Sequence, residues 1–219
     1  MPEIKRLLEA IAPFNRHKMK LIPKRSCLLI IDMQNDFLNP GSEIYLPEGE
    51  RIIPNIKKLL SAFRKRRLPV IYTAHCHKDP KIDGGMTAEW WPELKAGKVL
   101  KAETKGVEIH PALRPKKELV IYKNRYSAFY NTNLEICLRG LKVTDLVITG
   151  VMTNICCEST ARDAFFRDFR IFFPMDATAS SEPELHLATL KNLSYAFAYV
   201  TTTKEILQQI RLTKILFSL

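Results

Sequence analysis

Cys156 lies in the segment Thr149-Gly150-Val151-Met152-Thr153-Asn154-Ile155-Cys156, where an apolar run stops at a glycine and a helical pattern begins. A turn of that kind puts a thiol in the first turn of a helix, where unpaired backbone N–H groups and the positive end of the dipole favour an anion. A thiol nucleophile needs a route to thiolate, donors for the oxyanion it creates and a proton for the leaving group. Asp32 ends the apolar run Cys27–Ile31, and Lys123 ends the run Leu119–Tyr122. The aspartate can accept the thiol proton and return it, while the lysine positions and polarises both groups. General-base chemistry on a cysteine needs no histidine if such a carboxylate is at hand. Each residue also has a purely structural reading: a turn or N-cap aspartate, a solvated lysine, a small core cysteine. Spacing alone leaves both readings open.

Three such residues can meet only if the elements between them bring them together. Six short apolar runs punctuate the chain: Cys27–Ile31, Pro69–Tyr72, Leu119–Tyr122, Leu146–Thr149, Ile171–Pro174 and Ala196–Val200. They are apolar at both odd and even positions, which suits strands buried on both faces of a parallel sheet. Helical patterns alternate with them. Ile52, Ile53, Ile56, Leu59, Leu60 and Phe63 recur at helical spacing, with basic residues on the opposite face and Pro69 beyond the end. Further helices are expected over Leu134–Leu138, stopping at Gly140, over Asn154–Phe166 and over Glu184–Leu193. Lys78–Glu108 reads as the one long irregular region. The expected architecture is an α/β fold: a three-layer α/β/α sandwich around a mostly parallel, doubly wound, six-stranded sheet. One domain spans 1–219, with a helical N-terminal extension over 1–24 and a C-terminal helix over 203–219. Ligands bind such sheets beyond the carboxyl ends of the strands, so Asp32, His75, Lys123 and the Cys156 turn should share one rim.

Bulk composition narrows the remaining classes. The 219 residues carry 34 Lys+Arg against 23 Asp+Glu, a formal charge of +11. That excess raises nucleic acid as a partner, but the basic residues spread over outward helix faces and no RNA- or zinc-binding motif interleaves them with aromatics. No nucleic-acid partner is expected. No run approaches the roughly 20 apolar residues of a membrane span, and the charged N-terminus does not read as a signal peptide; neither a leader nor a membrane partner is expected. Five cysteines without scaffold spacing suit a reducing cytoplasm.

The motifs carry a resemblance. Asp32-Met33-Gln34-Asn35-Asp36-Phe37, then Lys123 with Arg125-Tyr126-Ser127-Ala128-Phe129, then Gly150–Cys156 with Glu158-Ser159-Thr160-Ala161-Arg162-Asp163-Ala164 resemble, in order, three segments of the isochorismatase-like cysteine hydrolases. The likeness runs from about residue 25 to 203. It implies a catalytic set of Asp32 as general base, Lys123 as its electrostatic partner and Cys156 as nucleophile, with Cys157 structural. It implies a cis peptide between Val151 and Met152 and an oxyanion hole from the Met152 and Cys156 amides. The implied reaction is hydrolysis of a C–N bond in a small amide, carbamoyl or ureide substrate through a thioester, without a cofactor. Phe37, Trp90 and Tyr126 are the candidate substrate-binding walls, and Asn39 and Thr153 are further candidates. Nicotinamidases of this family bind a metal through an Asp-x-His pair, but that place here reads His75-Cys76-His77. No metal is expected, and His75 and His77 are read as a pocket-wall or loop-ordering pair. Isochorismatase activity is an alternative, as is nicotinamidase activity, although Cys156 stands where vinyl-ether-cleaving relatives carry a small residue. Relatives are commonly dimers or tetramers, so a homo-oligomer is expected.

Overall fold

In a computed structural model that describes residues 2–212, each of the six apolar runs contributes to a strand. They are β1 (Ser26–Ile31), β2 (Val70–His75), β3 (Leu119–Lys123), β4 (Asp145–Val151), β5 (Arg170–Pro174) and, after a further short strand, β7 (Tyr199–Thr201). That further strand, β6 (Thr178–Ala179), makes seven where six are expected. Two residues are too few to show a hydrophobic period, so nothing in the local pattern announces it. It takes over the pairing with β4 at Gly150 and Val151, whereas β5 pairs with β4 only from Asp145 to Val147.

The sheet order is β3-β2-β1-β4-β5-β7, with β6 beside β4, and every pairing is parallel. The winding reverses between β1 and β4. Ile31 is level with Thr73 and with Gly150, and His75 with Lys123. Thus the residues that end β1, β2, β3 and β4 open onto one edge.

Six helices of seven residues or more cover the sheet: α1 (Pro2–Ile11), α2 (Pro47–Lys65), α3 (Leu134–Gly140), α4 (Glu158–Phe165), α5 (Pro183–Ala196) and α6 (Thr203–Leu212). The C-terminal helix expected over 203–219 is seen to Leu212; residues 213–219 lie outside the described residues. Strand alternation divides the core. Leu28 and Ile30 pack against Ile56, Leu59 and Phe63 of α2 and Ile206 of α6. Cys27, Leu29 and Ile31 face Leu138 of α3, Ala161 of α4, Leu190 of α5 and Ile11 of α1. Each such aliphatic side chain removed from water contributes roughly 1.5–3 kcal/mol, which is why both faces of these strands are apolar. No helix among the described residues is long and apolar enough to cross a membrane.

The stretch read as irregular, Lys78–Glu108, contains one-turn helices at Pro80–Asp83, Gly85–Trp90 and Pro92–Lys95. Proline opens two of them, and Asp79 accepts a hydrogen bond from the Lys81 amide (3.1 Å) at the first. One turn cannot display a 3.6-residue period, so composition alone reads as loop. Leu94, Val99 and Leu100 give this segment a small core that closes against Phe37 and Trp91.

Candidate active site

Asp32 follows β1 with φ of 51°, in the left-handed region that aspartate tolerates better than most side chains. The Thr73 hydroxyl donates to its Oδ1 at 2.6 Å, and its own amide donates to the Thr73 carbonyl at 3.2 Å. Lys123, the last residue of β3, reaches over the end of β2 and sets Nζ 2.6 Å from Asp32 Oδ2. The same ammonium donates to the Arg125 carbonyl (3.1 Å) and to Cys156 Sγ (3.4 Å). Both side chains of the ion pair are fully buried.

Cys156 arrives from β4 through Gly150, whose φ is 114° and whose absent Cβ would lie 2.0 Å from the Ile31 carbonyl oxygen. Only glycine lets β4 run this close to β1 at the reversal point. The Val151–Met152 peptide is cis. The turn after it is wider than the expected α-helical start: Cys157 N–H donates to the Met152 carbonyl, five residues back (3.1 Å), before α4 begins at Glu158. The Met152 amide has no hydrogen-bond partner among the described residues. Cys157 is fully buried in the core with Ala161 and Leu190.

Electrostatics follow from burial. Burial pushes the Cys156 thiol up to about 12, with Lys123 pulling the other way and Asp32 reinforcing the rise. The resting residue is therefore a thiol, whose proton must leave as the sulfur attacks. Burial opposes the charge on Lys123, but Asp32 and the sulfur outweigh it and hold the ammonium above its ordinary pKa. A thiol, a carboxylate and a permanent cation in mutual contact can carry out acyl transfer.

A cavity of about 230 Å³ opens on Cys156. Phe37 and Tyr126 line it, together with His75, Met152 and Ile155. Trp90 does not. It ends the Gly85–Trp90 turn with 73% of its surface exposed and faces a separate open groove. Its neighbour Trp91, in extended conformation between two helical turns, is the tryptophan in the wall, and its indole N–H donates to the Tyr126 hydroxyl at 3.0 Å. Asn39 and Thr153 lie outside the lining; Thr153 instead bonds His186 Nδ1 at 2.9 Å.

Gln34, which residue type alone did not single out, staples the site. Its side chain donates to the His75 and Val107 carbonyls and accepts from the His75 amide, at 2.8–3.0 Å. Its neighbours in the same motif do similar work, Asn35 on the Lys105 carbonyl and Asp36 on the Leu100 amide.

The residues present do not fit the metal site that nicotinamidases build after the second strand. His75 Nε2 and His77 Nε2 are 3.0 Å apart and bonded to each other, and His77 Nδ1 is taken by Asp83 (2.8 Å). The donor atoms of Asp32, His75 and Cys156 lie within 4.8 Å of one another, but the Lys123 ammonium already supplies the positive charge on Asp32.

Burial lowers the pKa of His75 well below its usual value and that of His77 as well, in spite of Asp83. Both rings are neutral at pH 7. The unfolded imidazoles take up protons below about pH 6.5 and the folded ones only at lower pH, so the unfolded state binds more protons there and stability falls on acidification. The unfolding free energy from urea denaturation is expected to hold between pH 8 and 7 and to fall from pH 6.5 to 5, by at most about 1.4 kcal/mol per pH unit for each ring. A free energy that holds or rises over that interval contradicts neutral histidines.

Known proteins share this fold. The isochorismatase domain model matches residues 26–205. A nicotinamidase of Arabidopsis thaliana, nicotinamidase 3, is 39% identical over 180 residues, 81% of this chain and 84% of that one. A ureidoacrylate amidohydrolase of Caulobacter segnis is 32% identical over 203 residues, 84% of each chain. The crystal structure of a cysteine hydrolase from Pseudomonas syringae pv. phaseolicola superposes with a TM-score of 0.84 at 30% identity, covering 89% of this chain and 96% of the other. With its parallel sheet and its buried cysteine beside an Asp–Lys pair, the chain belongs to the isochorismatase-domain family of hydrolases.

Proposed function

We propose that this protein is a cysteine hydrolase that opens a C–N bond in a small, uncharged amide, carbamoyl or ureide compound. The observation that carries the reading is the contact of the Cys156 sulfur with the Lys123 ammonium, itself paired to Asp32. Asp32 takes the thiol proton as sulfur attacks the carbonyl, and the Met152 and Cys156 amides stabilise the oxyanion. Asp32 returns that proton to the departing nitrogen, ammonia or an amine leaves, and a thioester remains. Water activated by Asp32 then attacks the thioester and frees Cys156. Lys123 pairs with the aspartate and steadies the charge that moves between the two groups.

The cavity supports the uncharged class. Among the described residues no lysine or arginine lines it, whereas Glu43 and Glu93 do. A substrate bearing carboxylates, such as isochorismate, would lose its hydration there without gaining a partner. Within the uncharged class, nicotinamide is the second reading: Phe37, Trp91 and Tyr126 offer faces for an aromatic ring, and the Arabidopsis relative bears that name. The test is ammonia release across a panel of primary carboxamides, carbamoyl amines and ureides, with isochorismate alongside. Turnover of at least one nitrogen compound is expected; turnover of isochorismate alone would overturn the reading.

A further inference from the structure

His75, His77 and Asp83 form a chain of hydrogen bonds that runs from the cavity wall toward the surface. His75 and His77 are buried and the Asp83 side chain is 26% exposed. The bonds are His75 Nε2 to His77 Nε2 at 3.0 Å and His77 Nδ1 to Asp83 Oδ1 at 2.8 Å. The other carboxylate oxygen of Asp83 accepts the Lys78 backbone amide at 2.8 Å.

The direction of the chain follows from chemistry. A carboxylate only accepts, so His77 must carry its proton on Nδ1. Its Nε2 is then a lone pair, and the nitrogen facing it, His75 Nε2, must be the protonated one. That leaves Nδ1 of His75, which has no partner among the described residues, as a bare acceptor on a ring that lines the cavity. The Tyr126 ring stands edge-on to His75, 6.5 Å between centroids, and Gln34 pins the His75 backbone on both sides.

We propose that Asp83 and His77 are positioning residues that fix His75 as a hydrogen-bond acceptor toward the substrate, so that the site selects compounds presenting an N–H beside the scissile carbonyl. The inference rests on the amide reading of the cavity and narrows it. A primary carboxamide or a ureide supplies that N–H; an ester of the same acid does not.

Asp83→Asn tests this because it should reverse the chain rather than break it. Aspartate serves two donors with two acceptors, but asparagine has one acceptor and one NH₂. The Lys78 amide can only donate and keeps the oxygen. The NH₂ then faces His77 Nδ1, which must become the acceptor, and both rings shift their protons. His75 would then present Nδ1–H to the cavity, a donor against the substrate's donor.

The experiment has two arms. Two-bond ¹H–¹⁵N spectra at pH 7 report each ring's tautomer without substrate. His75 is expected as Nε2–H in the parent and Nδ1–H in Asp83→Asn; a parent His75 protonated on Nδ1, or a variant that does not change, overturns the proposal. The second arm compares nicotinamide with methyl nicotinate. Asp83→Asn should lower kcat/KM for the amide by about tenfold or more, the scale of one lost hydrogen bond, mainly through KM, and leave the ester within about twofold. Equal losses on both mark a structural role and overturn the proposal, as does no loss on either. A parent enzyme idle on both compounds counts against the nicotinamide reading instead, and the spectra still decide the tautomer.

Discussion

Replacing Cys156 by alanine is expected to lower kcat for amide hydrolysis by at least about 10⁴-fold, the scale on which removal of a catalytic nucleophile reads out. Cys157→Ala should leave kcat within a few-fold. The two residues are adjacent and both are buried, yet only Cys156 lines the cavity and touches Lys123, while Cys157 packs among core residues. Cys157→Ala should therefore appear as stability, a loss of about 1 kcal/mol for a small apolar deletion. Rapid quenching and mass measurement should find the acyl adduct on the peptide containing Cys156 in the parent and none in Cys156→Ala. Wild-type turnover by Cys156→Ala would sink the covalent mechanism.

Asp32→Asn is expected to damage both activity and stability, for separate reasons. Activity falls because an amide cannot accept the thiol proton, and burial, the largest cause of the raised thiol pKa, is still in place. Stability falls because the Lys123 ammonium, with none of its side chain exposed, loses its counter-charge at 2.6 Å. Stranding one member of a buried pair costs roughly 3–5 kcal/mol. Adding Lys123→Met to Asp32→Asn removes the stranded charge, so the double variant should regain much of the stability and none of the activity. Urea denaturation and ammonia release measured on the same preparations separate the effects. A double variant no more stable than the single one contradicts the ion-pair account, and an active Asp32→Asn contradicts the base assignment.

Much of this was legible in the chain. Runs apolar at both parities identified the strands because a parallel sheet covered on both faces needs apolar side chains on both. The reading could not say where in the sheet each run lies: Leu119–Lys123 is an edge strand, and Leu119 and Tyr122 are largely exposed. β6 escaped because two residues have no period, and the short helices after β2 escaped because one turn has none. Trp90 and Trp91 are alike in sequence context, and only the break between two helical turns decides which of them faces the cavity.

By itself, then, the sequence determined which residues end the strands and so stand at the carboxyl edge of the sheet: Asp32, His75 and Lys123, with the Cys156 turn after β4. Those are local facts, set by hydrophobic period and chain direction. The tertiary structure decided who meets whom at that edge. Lys123 reaches Asp32 because β3 and β1 flank β2, and Cys156 meets both because β4 lies against β1. Strand order arises from pairings between distant residues, Ile31 with Gly150 among them, which no local pattern encodes. The same holds for the direction of the His75–His77–Asp83 chain, which depends on Asp83 folding back beneath two histidines six or more residues before it.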